Sequence, residues 1–356
     1  MKQIKVIELF GGIGACTEAL KNIGYEPEVV DYVEIDKYAV ASYNAINGTN
    51  FEPQDICTWD KDVKCDLIIH GSPCQDFSLA GKQAGGDKGS GTRSSLMYET
   101  LRIVEKIKPR FVIWENVKNL LGKKHRHNFE AYLEKMEQLG YKNYYQVLNA
   151  KDYGIPQNRE RVFTISILTD VDYLFVFPKK QQLTLKLKDM LEDEVDGKYI
   201  ISDKLIKYYN KKIEQGWRKE LHIDKDIAST ICNPSRNQIN DTFIRVEPVY
   251  KEYTNFCTIP RGSDGKLING SYNRVWKKDK YVGALNLTKI TEIGDVEKQG
   301  LVIRKITPKE AWRLMGFSDS AFEKAATCNS NAQLYKQAGN SIVVNVLEAI
   351  LKNLLE

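Results

Sequence analysis

A chain of 356 residues is long enough for one large domain or two of ordinary size. Its 42% hydrophobic and 28% charged residues are the balance of a globular protein, and no apolar run approaches the roughly 18 residues of a membrane span. The formal net charge of +5 is a mild excess that admits a polyanionic partner without requiring one.

Met1-Lys2-Gln3 runs directly into a strand-like segment, Lys5 to Phe10, with no secretory signal, so a cytoplasmic protein is expected. A glycine turn, Gly11-Gly12-Ile13-Gly14, leads into a helical pattern from Ala15 to Ile23, with Gly24 placed as its C-cap. Val29 to Glu34 reads as a second strand, and Lys37 to Ile46 as a second helix stopped near Gly48. Asp66 to His70 is a third short apolar run. Leu96 to Ile107 has helical periodicity with Pro109 marking its end, and Phe111 to Glu115 is a fourth strand. This alternation predicts an α/β fold, a mostly parallel sheet flanked by helices, with active groups beyond the carboxyl ends of the strands.

From about Val171 to Val302 the periodicity weakens, and segments such as Asn233 to Asn237 and Pro260 to Gly265 read as exposed turns. Regular structure returns where Thr307 can cap a helix with Pro308 at its first position, and a last helix spans Val343 to Leu354. The organisation expected is a discontinuous catalytic domain, 1–170 with 304–356, interrupted by a smaller, loop-rich domain over 171–303.

The glycine turn lets a ligand approach the backbone closely and offers it a helix N-terminus. Glu34, about twenty residues on, can bind the two hydroxyls of a ribose. A purely structural turn and a dehydrogenase-type site both fit this pattern, so it calls for a nucleoside without naming it. The seven cysteines form no CxxC pair and have no histidine at metal spacing, which argues against a disulfide framework or a metal site. Six are expected to be reduced thiols, mostly buried. Cys74 differs, because Gly71-Ser72-Pro73-Cys74-Gln75 follows a strand and Pro73 stiffens the backbone beside the thiol. That is a nucleophile's position. Gly81, Gly85, Gly86, Gly89 and Gly91 then preclude stable helix or strand, and a lid closing over a substrate is expected there.

At this point the motifs resemble those of the DNA cytosine-5 methyltransferases, of the bacterial and phage type. Pro73-Cys74-Gln75 resembles the nucleophile motif, Trp114-Glu115-Asn116-Val117 the glutamate motif, and Gln157-Asn158-Arg159-Glu160-Arg161 the paired-arginine motif. Gln337-Ala338-Gly339-Asn340-Ser341 resembles the last cofactor motif, and Arg304 to Glu310 the segment joining the recognition domain to the catalytic one. The resemblance covers roughly 1–167 and 304–356. It implies the S-adenosylmethionine-dependent methyltransferase fold, with 171–303 as target-recognition domain and double-stranded DNA as partner. It also implies S-adenosylmethionine as methyl donor, held by Phe10, Gly12, Gly14, Glu34, Ile35, Asp55, Ile56, Pro73, Leu96, Asn340 and Ser341. Cys74, Glu115, Arg159 and Arg161 would act on a flipped cytosine. Protection of DNA from a cognate restriction endonuclease is the biology implied, with no direct contact between the two, and a monomer is expected.

Three other readings account for fewer of these residues. A transfer-RNA cytosine methyltransferase has a shorter middle region with a Cys-Phe-Thr signature, which Asn255-Phe256-Cys257-Thr258 does not reproduce. A nucleotide-dependent oxidoreductase explains the glycine turn and Glu34 but leaves Cys74, Glu115 and the arginine pair without a use. A DNA-binding relic without activity would not need the full set of catalytic residue types.

Overall fold

The computed structural model describes residues 2–73, 93–169, 174–216, 222–231, 242–246 and 303–356. Its main sheet is built from β1 (Lys2–Leu9), β2 (Tyr25–Val33), β3 (Leu67–His70), β4 (Phe111–Val117), β5 (Tyr141–Asn149) and β6 (Glu160–Leu168), in the order β2-β1-β3-β4-β6-β5. The first four are mutually parallel, with Ile7 opposite Ile68 and Ile68 opposite Val112. β6 reverses and pairs antiparallel with both β4 and β5.

Successive residues of a strand face opposite sides, and β1 is covered on both. On one side Ile7 and Leu9 join Ile68, Val112 and Trp114 beneath α3 (Met97–Ile107) and α4 (Arg126–Gln138). Met97, Leu101, Phe129, Tyr132 and Met136 supply the helical half of that core. Full burial of such side chains contributes about 1.5–3 kcal/mol each. On the other side Glu8 reaches Thr17 of α1 (Ala15–Asn22) and Tyr43 of α2 (Lys37–Asn47).

The expected stops are present. Gly48 closes α2 at φ 68, and Gly24 follows α1 at φ 85. Lys108, at φ 49, ends α3 immediately before Pro109, which disfavours helical backbone in its predecessor. β2 begins earlier than its apolar run, because Tyr25 to Glu28 pair with Lys2 to Lys5 along a polar sheet edge. Expected buried thiols need a correction: Cys16 is buried and Cys65 half-buried, but Cys57 and Cys328 are exposed. Cys57 lies on a surface turn, Ile56–Thr58, and Cys328 just past a helix end, where neither has a core to enter.

The chain divides into two compact units. The first comprises Met1–Leu191, Lys225–Asp241 and Thr307–Glu356. After α5 (Asp203–Glu214), which belongs to the second unit, it closes with α6 (Pro308–Arg313), α7 (Asp319–Ala326), α8 (Asn331–Asn340) and α9 (Val344–Leu355). Thr307 caps α6 reciprocally with Glu310: Glu310 N–H donates to the threonine hydroxyl at 3.1 Å, and Thr307 N–H to the Glu310 carboxylate at 2.7 Å. The second unit, Glu192–Asp224 and Thr242–Ile306, carries a small sheet of β7 (His222–Ile223), β8 (Thr242–Arg245) and β9 (Ile303–Lys305). Among the described residues no helix is long and apolar enough to cross a membrane.

His70 ends β3 wholly inside this core, stacked on Trp114 with ring centroids 5.7 Å apart and its Nε2 3.0 Å from the Tyr132 hydroxyl. Burial lowers its pKa to about 3, so the folded protein holds it neutral while an unfolded chain protonates it below about 6.5. Its contribution to stability is complete above that value and is lost as pH falls toward 3. Between pH 7 and pH 5 the protein should lose about 2 kcal/mol more than H70Q in urea titrations. Equal losses would mean that the imidazole is not held neutral.

Candidate active site

The glycine turn rests on two tyrosines. Tyr32 of β2 and Tyr43 of α2 stack with centroids 3.9 Å apart. A Cβ on Gly11 would come within 2.6 Å of the Tyr32 ring, and one on Gly14 within 2.8 Å of the Tyr43 ring. Phe10, Gly12 and Gly14 all adopt positive φ (53, 56 and 84), and the Tyr32 hydroxyl donates to the Gly12 carbonyl at 2.5 Å. Beneath them Glu8 is buried; burial pushes its pKa up to about 7 against the opposing hydrogen bonds of Thr17 and Tyr43. The turn is thus fixed from below by rings and a carboxyl group.

Glu34 follows β2 and accepts from the Gly12 N–H at 3.2 Å and the Asp36 N–H at 2.8 Å. Burial raises its pKa above the usual carboxylate range. Next to it the side chain of Ile35 is 69% exposed. Asp36 caps α2 and pairs with Lys336 at 2.5 Å, while Gln337 donates to the Tyr38 carbonyl at 2.9 Å, so α8 is anchored beside α2.

The Asp55-Ile56 segment is held from two sides. Buried Asp31 accepts from Gln54 at 3.0 Å, Trp59 at 2.5 Å and Lys61 at 2.9 Å. Burial alone would raise its pKa, but these donors outweigh burial and hold it low. From α3, Arg102 donates to the carbonyls of Trp59 at 2.8 Å and Ile56 at 2.9 Å. Asp55 is exposed and caps the turn through Cys57 N–H at 2.9 Å. Ile56 sends its side chain into the core, and Leu96 packs against that same core, partly buried.

At the ends of β3 and β4, buried Ser72 accepts from Trp114 Nε1 at 3.0 Å, and its carbonyl accepts from Asn116 Nδ2 at 3.3 Å. Pro73 follows; Cys74 and the stretch from Gly81 to Gly91 lie outside the described residues. Glu115 is buried, and Arg161 Nε lies 3.1 Å from its Oε1. Burial raises the Glu115 pKa, with Arg161 and then Arg159 opposing. A Cβ on Gly71 would lie 3.6 Å from Glu115 Oε2, so the two strand ends meet closely.

Arg159 is placed differently from Arg161. Its guanidinium, with the residue only 3% exposed, donates to the backbone carbonyls of Ile231, Gly339 and Ser341 at 2.7, 3.1 and 2.8 Å. Asn340 is exposed and Ser341 buried. A cleft beyond β1 and β3 collects Phe10, Gly12, His70, Gly71, Asn340 and Ser341. The expected donor residues Phe10, Gly12, Asn340 and Ser341 therefore meet, with Glu34 joined through Gly12; the Ile56 side chain turns away. Among the described residues no group of three or more His, Cys, Asp or Glu could hold a metal ion.

Sequence reading missed Glu8, Asp31, Tyr32, Tyr43 and Arg102. A charged residue inside the apolar run of β1 was the visible sign for Glu8. The others become partners only once β2, α2 and α3 are packed.

The chain matches, over residues 4–356, the family model described as C-5 cytosine-specific DNA methylase. It is similar to Type II methyltransferase M2.ScrFI of Lactococcus lactis subsp. cremoris, with 39% identity over 82% of this chain and 67% of the relative. Type II methyltransferase M.NlaX of Neisseria lactamica is 33% identical over 98% of this chain and 96% of its own. In fold it is similar to the S. pombe Dnmt2 methyltransferase, with TM-score 0.65 at 19% identity over 99% of this chain and 98% of that one.

Gly14→Ala places a side chain at φ 84 and against the Tyr43 ring. It should cost at least about 1 kcal/mol in urea unfolding, and the same change should cost less when made in a Y43A background, where the ring no longer fills the space. An equal cost in both backgrounds would leave backbone strain as the whole effect.

Proposed function

The chain belongs to the C-5 cytosine-specific DNA methylase family, and on that premise we propose that Cys74 is its covalent nucleophile, with Glu115 and Arg161 acting on the target base. Methyl transfer to C5 of cytosine in DNA is the activity of the family. The observation that carries the residue assignment is the buried Glu115–Arg161 pair at the carboxyl end of β4, beside the Ser72 anchor two residues before Cys74.

Cytosine C5 is a poor nucleophile, so electrons must be pushed into the ring. The Cys74 thiolate adds to C6, and the charge that develops is met at N3 by a proton from Glu115. Burial of Glu115 supports this protonated role. C5 then takes the methyl group, loses its proton to a base, and the thiolate departs by elimination. Arg161 holds Glu115 and sets a fixed cation beside the base carbonyl. None of these groups reaches a stacked base, so the cytosine is flipped out at a cost of a few kcal/mol.

S-adenosylmethionine supplies the methyl group. The chain's residues fit such a donor: a glycine turn without side chains, a carboxylate at Glu34 for ribose hydroxyls, and the exposed apolar face of Ile35 beside it for a purine. We assign Phe10, Gly12 and Gly14 to its amino-acid end, Asp55 and Ile56 to the adenine, and Pro73, Leu96, Asn340 and Ser341 to the remaining walls. The reaction assigned here uses no metal. Residues 171–303 read the target in double-stranded DNA. The basic and amide side chains of that stretch are the groups available to contact DNA, and among them Arg245 pairs with Asp224 at 3.2 Å. Arg218, Arg236, Asn237, Gln238, Arg261, Asn273, Arg274, Lys277 and Lys278 lie outside the described residues. The enzyme works as a cytoplasmic monomer whose mark shields DNA from a cognate restriction endonuclease.

Labelled methyl donor incubated with mixed-sequence duplex DNA, followed by methylation-sensitive sequencing, should show transfer to cytosine C5 at one short sequence. Transfer to RNA and not to DNA would sink the reading. Cys74→Ala should abolish transfer while donor binding persists, and an active variant would exclude the thiol adduct. Glu115→Gln should lower the single-turnover rate by about 10²–10⁴.

A further inference from the structure

The two arginines of the Gln157 to Arg161 segment do different things. Arg161 faces Glu115, whereas Arg159 is buried with three backbone carbonyls of the chain on its guanidinium. Gly339 belongs to the last turn of α8 and Ser341 is its C-cap. The last carbonyls of a helix lack intrahelical partners and carry the negative end of its dipole, so a cation there both satisfies and neutralises them. Asn340 and Ser341, in the segment those bonds hold, line the same cleft as Phe10 and Gly12.

The same guanidinium reaches Ile231. Gln157, also fully buried, repeats the link: its Oε1 accepts from Ile231 N–H at 3.0 Å and its Nε2 donates to the Leu314 carbonyl at 2.6 Å. Three stretches far apart in sequence are thereby joined under one wall of the cleft.

We propose that Arg159 is a positioning residue for the methyl donor, fixing the Gly339–Ser341 turn and tying it to the chain at Ile231. The inference rests on reading that cleft as the donor site. Lysine offers a point charge in place of a planar fork and cannot span the three carbonyls. Arg159→Lys in the full chain should weaken binding of S-adenosylhomocysteine, measured by calorimetry, on the order of 10- to 100-fold. Its single-turnover rate at saturating donor and DNA should fall by a much smaller factor than its donor affinity. An unchanged dissociation constant with a rate lowered on the order of a hundredfold would overturn the proposal and put Arg159 on the base.

Amide exchange of the unaltered chain gives a second test that needs no variant. S-adenosylhomocysteine should slow exchange in 339–342 and also in 228–231. Protection confined to 339–342 would overturn the link through Arg159. Glu34→Gln probes the cleft reading separately: if it binds S-adenosylhomocysteine as well as the parent, that reading falls and the inference with it. If Glu34→Gln weakens binding but Arg159→Lys does not, only the inference falls.

Discussion

Glu115 sits on the end of a central strand with almost no access to water, and the guanidinium of Arg161 lies 3.1 Å away. A carboxyl group so placed needs a partner fixed in space, and the partner comes from β6. Because β6 runs against the other strands, its amino end arrives where the parallel strands finish, with Arg161 opposite Val117 and Phe163 opposite Glu115. A parallel β6 would carry Arg161 to the far edge of the sheet, roughly 25 Å away at 3.3 Å per residue. The reversal also sets β5, whose Asn149 pairs with Glu160. The one reversal therefore places both Arg161 beside Glu115 and the outer strand of the sheet.

The rest of the carboxyl edge follows a common logic. Backbone there is irregular, and each irregular segment is fixed by a buried side chain from elsewhere: the glycine turn by Tyr32 and Tyr43, the Ile56 turn by Asp31 and Arg102, the β3 exit by Trp114 and Asn116. Polar groups buried in this way are costly unless satisfied. Satisfied, they hold a site in place before a ligand arrives, which is where electrostatic stabilisation of a developing charge gains most.

Much of this was legible in the sequence wherever a local signal reported on local structure. The strand-turn-helix at the start, the Gly48 stop and the Thr307 cap each rest on a few adjacent residues. Five motifs in order pointed to the chemistry. Strand β5 was not legible, because Tyr141–Asn149 lies at a sheet edge and alternates polar and aromatic residues without a clear apolar run. Arg159 shows the deeper limit. Its motif reads as a role on the base, and nothing local announces that it also holds the carbonyls of Gly339 and Ser341, 180 and 182 positions away. Ile56 is similar: its side chain packs into the core, a contact that no neighbouring residue announces.

The C-terminal helix has a consequence for how the molecule is made. Apolar α9 buries Val344, Leu347, Ile350, Leu351 and Leu354 and packs against α1, and the two ends are further joined by Asn22 to Glu348 and Tyr25 to the Leu355 carbonyl. Those last two links span 326 and 330 positions. At about 5–20 residues per second, α1 leaves the ribosome roughly 15 s to a minute before the helix that covers it. Through that interval the face of α1 that α9 covers stays open to water. The covering of α1 therefore waits on α9, whatever ligand or DNA is met later.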